Sequence, residues 1–178
     1  MQTNQTAKSL DIPPVLIAEG AAVDYYLKIE GIDGESTDDK HPGWIEIQSW
    51  SWGESNRLTS FFRSSSSIGK VNMQDFHFTM KVNKASPKLM LACATGEHFK
   101  MMTLVAVKGE DRQEYLTFTL TDALISSYQT SGMQGDVPSE HITVNFSKIE
   151  FEYKPMNRDG SLGESIRAGW DVKTSTKV

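Results

Sequence analysis

Only one cysteine, Cys93, occurs in the 178 residues. A single cysteine excludes an intrachain disulfide. It lies in the apolar run Leu89-Met90-Leu91-Ala92-Cys93-Ala94. That setting marks a small buried hydrophobe rather than a nucleophile, whose thiolate needs an electropositive, partly open environment. Long apolar runs are also missing. No segment approaches the roughly 20 residues of a membrane span, so no membrane insertion is expected. Met1 to Leu10 is polar with a single lysine, and Pro13-Pro14-Val15-Leu16-Ile17-Ala18 is short and set apart from any basic region. No secretory signal peptide is read there. The expectation is a protein made in the cytoplasm that, if it is secreted, leaves without a cleaved signal. Basic charge is scarce: 18 Lys and Arg stand against 23 Asp and Glu, for a net charge of −5. Arg57, Arg63 and Lys70 are spread through a serine-rich segment and make no basic stripe, so no nucleic-acid partner is expected.

Motifs of catalysis are absent as well. There is no Gly-x-Ser-x-Gly elbow, and Gly69-Lys70 stands without the rest of a phosphate-cradling loop. His41, His77, His98 and His141 lie far apart, with none of the paired spacing of a zinc site. The acidic stretch Asp33, Glu35, Asp38, Asp39 lacks the alternating ligands of a calcium loop and reads as a solvated turn. No catalytic residue, cofactor or metal is expected.

What is present is the composition of a soluble globular chain, 38% apolar and 23% charged. At this length a compact fold buries roughly 70% of its unfolded surface and needs no disulfide or metal. Residues 1–22 read as an N-terminal extension, rich in Gln, Thr, Asn and Ser around a Pro-Pro pair that disfavours helix and interior strand. Val15 to Ile17 is a short apolar run within it that can still pack against the fold. Residues 23–178 read as the folded domain.

Strand periodicity dominates that domain. Val23, Tyr25, Leu27 and Ile29 alternate with polar positions, which places one face on a core. Asp33-Gly34 signals a turn and Glu35 to Gly43 a loop. Trp44 to Gly53 is a second strand whose apolar parity switches near Gln48-Ser49; a β-bulge or a strand covered on both faces accounts for it equally. Lys70 to Lys81 shows a similar shift near Gln74-Asp75. Ser86 to Gly96 is the one clear helix, with Ser86 as N-cap, Pro87 at the first helical position and Gly96 as the left-handed terminator. Its middle is apolar nearly all round, so a covering neighbour is expected. Phe99–108 and 114–121 are strands joined across Gly109-Glu110-Asp111, strand character resumes over 123–130, 140–153 is a long strand, and 168–173 a short last one. Many strands, short turns and one helix predict a mainly β fold: an antiparallel β-barrel of two sheets with one short flanking α-helix and a long extended loop.

The long loop is Glu54 to Gly69. Four successive serines neither propagate a helix nor pack a strand, yet Leu58, Phe61 and Phe62 are too apolar for a plain linker. A loop that carries aromatics is read as a protein-docking element, with Arg57 and Arg63 beside them. In Trp50-Ser51-Trp52, strand alternation puts Ser51 opposite the indoles. Trp50 and Trp52 are assigned to the protomer core or an interface.

An ordered set of short stretches resembles the Hcp family of the bacterial type VI secretion system. They are Val23-Asp24; Gly31-Ile32-Asp33-Gly34-Glu35-Ser36 with Asp38 and His41; Trp50-Ser51-Trp52-Gly53; Gly69-Lys70-Val71 with Gln74-Asp75; the helix from Ser86 to Cys93 with Gly96 and His98; and Ala168-Gly169-Trp170-Asp171. The resemblance covers about residues 22–174. It implies homohexameric rings that stack into a hollow tube, ejected by a contractile sheath behind a tip spike protein, with small effector proteins in the lumen. It implies that Arg57, Leu58, Phe61, Phe62 and Arg63 belong to a ring-stacking loop, and it makes Ser51 the lumen-facing residue. Only a few residues follow the last predicted strand, so no fused C-terminal toxic domain is expected. Two other readings fit the same residues: a phage-type tail-tube protein of another contractile machine, and a ligand-binding β-barrel or enzyme.

Overall fold

In a computed structural model, residues 22–56 and 71–178 are described. The opening alternation forms β1 (Val23–Ile29), which pairs antiparallel with β2 (Ile45–Ile47) on one side and with β7 (His98–Lys108) on the other. Leu27 and Ile29 point inward with Met102 and Leu104 from β7, and all four are buried. β7 turns through Gly109 (φ 78°) into β8 (Gln113–Ser131), a 19-residue strand. The sequence reads as two strand segments here. The chain instead continues through Asp122, which takes the left-handed conformation at φ 50°. The first half of β8 pairs with β10 (Lys148–Tyr153) and the second half with β9 (Ser139–Asn145). One strand thereby belongs to two walls.

The expected long strand over 140–153 is accordingly two, β9 and β10, broken at Phe146-Ser147. Phe146 is buried at the break, and the Ser147 hydroxyl donates to Asp122 Oδ2 at 2.6 Å. The expected last strand is displaced to β11 (Ile166–Asp171), followed by the two-residue β12 (Thr176–Lys177).

Both parity switches have the same cause, and neither is a bulge. After β2, the Gln48 N–H donates to the Thr79 carbonyl at 2.8 Å, and the chain re-enters the sheet as β3 (Ser49–Ser51) beside β6 (Phe76–Lys81). Likewise β4 (Glu54–Asn56) pairs with β5 (Val71–Met73), while the next residues of that strand turn at Gln74-Asp75 to enter β6. Each switch is a corner at which the chain changes hydrogen-bonding partner.

The result is mainly β: a curled ten-stranded antiparallel sheet plus the small β4–β5 sheet. The expected barrel does not close by strand pairing. One path of the sheet ends at β12 and β2, and the branch from β8 through β9 and β6 ends at β3. Inside the curl, Trp50 stacks on Phe76 (ring centroids 5.8 Å apart) and meets Phe118 edge-on at 4.9 Å, and Phe118 stacks on Phe151 at 4.7 Å.

Helix α1 (Ser86–Thr95) packs on β8 through Leu89 and Ala92. Its start corrects the sequence reading. Ser86 is the first helical residue, and Ala85 holds the cap position without a side-chain bond. Asn83 supplies the local closure instead: its Oδ1 accepts the Ala85 N–H at 2.8 Å. The Ser86 hydroxyl accepts the Asn83 N–H at 3.0 Å and donates to Glu140 at 2.9 Å. Gly96 terminates the helix at φ 69°, as expected. Met90 and Leu91 stay 49% and 57% exposed, so no described residue provides the expected cover. Cys93 is half-buried against the core rather than fully enclosed.

Candidate interaction surfaces

Strand alternation sends Trp50, Phe76, Phe78, Ile142 and Val144 into the core and leaves the opposite faces of β3, β6 and β9 outward. Register then aligns Ser51 with His77 and Thr143, and Ser49 with Thr79 and His141. Cross-strand hydrogen bonds tie the rows together. Ser49 and Thr79 hydroxyls lie 2.7 Å apart, and His77 Nδ1 lies 3.0 Å from the Thr143 hydroxyl. At one end Asp75 accepts from Ser126 (2.6 Å) and Asn145 (2.8 Å). At the other, Lys81 pairs with Asp136 at 2.8 Å. Between those ends the outward positions carry only hydroxyl, imidazole and amide groups. Ser51 is exposed on this face, and Trp50 and Trp52 lie on the other, half-buried.

Arg57, Leu58, Phe61, Phe62 and Arg63 lie outside the described residues. The strands that flank them are defined: Asn56 of β4 pairs directly with Val71 of β5.

A third surface was not read from sequence. The outward face of β1–β7 carries a small apolar cluster of Tyr26, Val105 and Val107 with Trp44 against it. The loop between β1 and β2 folds over this cluster. His41, fully buried, stacks on Tyr26 at 4.7 Å and meets Trp44 edge-on at 5.0 Å. Its ring nitrogens face two carboxylates, Asp38 at 2.6 Å and Glu114 at 3.0 Å. Arg112, from the β7–β8 turn, reaches Asp38 at 2.8 Å and also bonds Asp24 and the Tyr26 hydroxyl. Burial pushes the Asp38 carboxyl up, but hydrogen bonds from His41 and Arg112 outweigh it and hold the group below its usual range. The predicted solvated turn is thus a clasp, and Asp38 is its hinge pin. Gly34 lets the loop close: a Cβ there would lie 2.2 Å from the Trp44 carbonyl oxygen. The signal that could have found it is His41 preceding Trp44 in an otherwise polar loop.

Buried polar groups elsewhere serve the framework. Glu140, buried in β9, accepts from Ser86 and from the Tyr128 hydroxyl. Burial and the adjacent Glu140 push the Tyr128 phenol up to about 12. Asp122 is held well below the carboxylate range by Lys173, Ser147 and His98, which fastens the left-handed kink of β8. Among the described residues no group of three or more His, Cys, Asp and Glu is placed to hold a metal ion. No described helix is long and apolar enough to cross a membrane.

The sequence profile of the family described as "Type VI secretion system effector, Hcp" matches residues 26–153. Protein hcp1 of Pseudomonas aeruginosa is 37% identical over 161 residues, which span 88% of this chain and 99% of that protein. A solved structure described as a type six secretion system protein superposes with TM-score 0.83 at 34% identity, covering 88% of this chain and 100% of the other. Hcp1 from Salmonella typhimurium superposes with TM-score 0.74, also at 34% identity, over 88% of this chain and 99% of that one. The sheet topology and these matches agree, and the chain belongs to the Hcp family of type VI secretion system tube proteins.

Proposed function

We propose that this chain is the repeating subunit of the secretion machine's inner tube. Six copies form a ring, rings stack, and the β3–β6–β9 face lines the central channel. The observation that carries this reading is that face itself: rows of Ser, Thr, His and Asn, cross-bonded and without a charged side chain between its ends. A channel wall must stay wetted and must not grip what moves along it. Short hydroxyl and amide groups hydrate well and present neither an apolar patch nor a single-sign field. Small effector proteins are the cargo, sheltered there before release. The sheath surrounds the tube and the spike closes its tip. The subunit needs no catalysis for this role, and it leaves the cytoplasm with the tube.

The segment 57–70 is the stacking arm. Asn56 and Val71 pair at its base, and Phe61 and Phe62 are the residues proposed to contact the next ring. Head-to-tail contacts between rings do not close on themselves, so they extend rings into an open-ended stack.

Sedimentation and electron microscopy of the purified chain test the reading. A hexamer with a central hole is expected, and a monomer at all concentrations overturns it. Replacing Phe61 and Phe62 with Ser is expected to leave rings intact and shorten the stacks; undiminished stacking would remove those residues from the interface. Replacing Ser51 with Trp is expected to preserve rings and reduce cargo retention, whereas unchanged retention would turn that face away from the channel.

A further inference from the structure

The bare face of β3, β6 and β9 carries two histidines in a middle that is otherwise hydroxyl and amide. Along β6 the outward positions are His77, Thr79 and Lys81, and along β9 they are Thr143, His141 and Ser139, each opposite its partner in that order. His77 and His141 are therefore diagonal neighbours on adjacent strands, and both are exposed. His77 lies between Ser51 of β3 and Thr143, with its Nδ1 3.0 Å from the Thr143 hydroxyl. His141 lies between Thr79 and Gln129 of β8. Across the strands, neither imidazole faces a charged side chain among the described residues.

The charged groups of this face stand at its ends. Asp75, two residues before His77, is engaged by Ser126 and Asn145. Lys81 is paired with Asp136, and Glu35 and Glu46 border a cleft with it. Beneath the sheet, Tyr128 and buried Glu140 bond to each other on the opposite side. Histidine is the side chain whose charge ordinarily changes between pH 5 and 8. Hydroxyl and amide side chains have no charge to change over that range. Two protons taken up there add two positive charges per subunit to the middle of the face. In a ring the same positions recur in every copy, so those charges gather around one channel, whose low-dielectric walls focus their field.

We propose that His77 and His141 make this face a proton-gated binding surface for acidic polypeptide. With neutral imidazoles the middle of the face is uncharged and does not hold what passes along it. On acidification the two imidazolium groups attract carboxylate-rich segments and repel Lys- and Arg-rich ones. The proposal rests on the channel reading for its setting, since it names the cargo chemistry such a channel would retain, but the change of charge belongs to the face of each single subunit.

Binding of rhodamine-labelled poly-L-aspartate to the full chain, read by fluorescence anisotropy at about pH 7.5 and about pH 5.5 in low salt, tests the proposal. Aspartate carboxylates stay ionised at both values. Affinity is expected to rise about tenfold at the lower pH, and the rise is expected to vanish when added salt screens the charges. His77→Gln with His141→Gln keeps a hydrogen-bonding amide at each position and is expected to abolish the rise. His77→Lys with His141→Lys is expected to bind the probe at both pH values. An equal rise in the Gln variant overturns the proposal, because other groups then bring the probe. A Lys variant that ignores the probe at neutral pH also overturns it, as does a rise that salt leaves unchanged. Sedimentation of the same samples reads ring formation separately. Rings without pH-dependent binding sink this inference alone, whereas a monomer that keeps the histidine-dependent rise sinks only the tube reading.

Discussion

The outward faces of β3–β6–β9 and of β1–β7 differ in what lies over them. The first is bare. Its serines, threonines and histidines bond to one another across strands and otherwise meet solvent. The second is covered by the chain's own loop, which seats His41 on Tyr26 and pins Asp38 to Arg112. Both faces carry polar groups, but on the covered face those groups are buried and obliged to find partners, while on the bare face water can replace any of them. Buried polar links are costly to break, and exposed ones are nearly neutral. The covered face should therefore govern stability, and the bare face should be free to serve an interaction.

The sharpest way to break that contrast is His41→Ala. It removes a fully buried ring stacked on Tyr26 and takes one of two side-chain partners from Asp38, and it should cost about 3 kcal/mol in denaturant unfolding. A loss as small as a surface substitution would mean the loop is not fastened there. Gly34→Ala comes next. A methyl placed against the Trp44 backbone forces the loop open, at about 2–3 kcal/mol, with Trp44 fluorescence shifting alongside. Arg112→Leu should cost about 2 kcal/mol and also change the acid limb of the stability curve. Because the folded-state Asp38 group lies below its ordinary value, its contribution is present above about pH 4 and is lost as pH falls through the folded value. Without Arg112 that acid-dependent loss should shrink, which unfolding free energies measured between neutral and acidic pH would reveal. The smallest effect is expected on the bare face. Ser51→Trp should change stability by less than about 0.5 kcal/mol; a large loss would show that this face, too, is part of the framework.

How far the sequence revealed these regions follows from how local each one is. β1 announces itself because Val23, Tyr25, Leu27 and Ile29 alternate within one strand. Gly96 and Pro87 mark the helix ends, because left-handed φ and a missing N–H are properties of single residues. Gly109-Glu110-Asp111 marks the hairpin in the same way. The corners at Gln48 and Gln74-Asp75 show as shifts of parity, but their cause does not show, since it rests on strands such as β6 joining from elsewhere. The run through Asp122 reads as two strands because Thr121-Asp122 interrupts the apolar rhythm. Only Lys173, Ser147 and His98, all distant in sequence, make that kink tenable. The clasp is the least legible part. Arg112 and Asp38 are 74 residues apart, and neither residue carries a local signature of the other. Of the surfaces, the outward position of Ser51 follows from alternation alone, whereas its alignment with His77 and Thr143 depends on strands distant in sequence.

The pairing of β1 has a consequence for synthesis. Its first partner, β2, follows within the same stretch of chain, but its other edge is satisfied only by β7, with Val23 opposite Lys108. On the ribosome, where chains grow at about 5–20 residues per second, the β1–β2 hairpin must wait several seconds for that strand. A lone two-stranded hairpin is marginal in water, and an unpaired edge invites another chain. The nascent subunit therefore passes through a window in which its own first strand is its most association-prone element. That window closes when the β7–β8 hairpin, a local structure, emerges and is joined by β1.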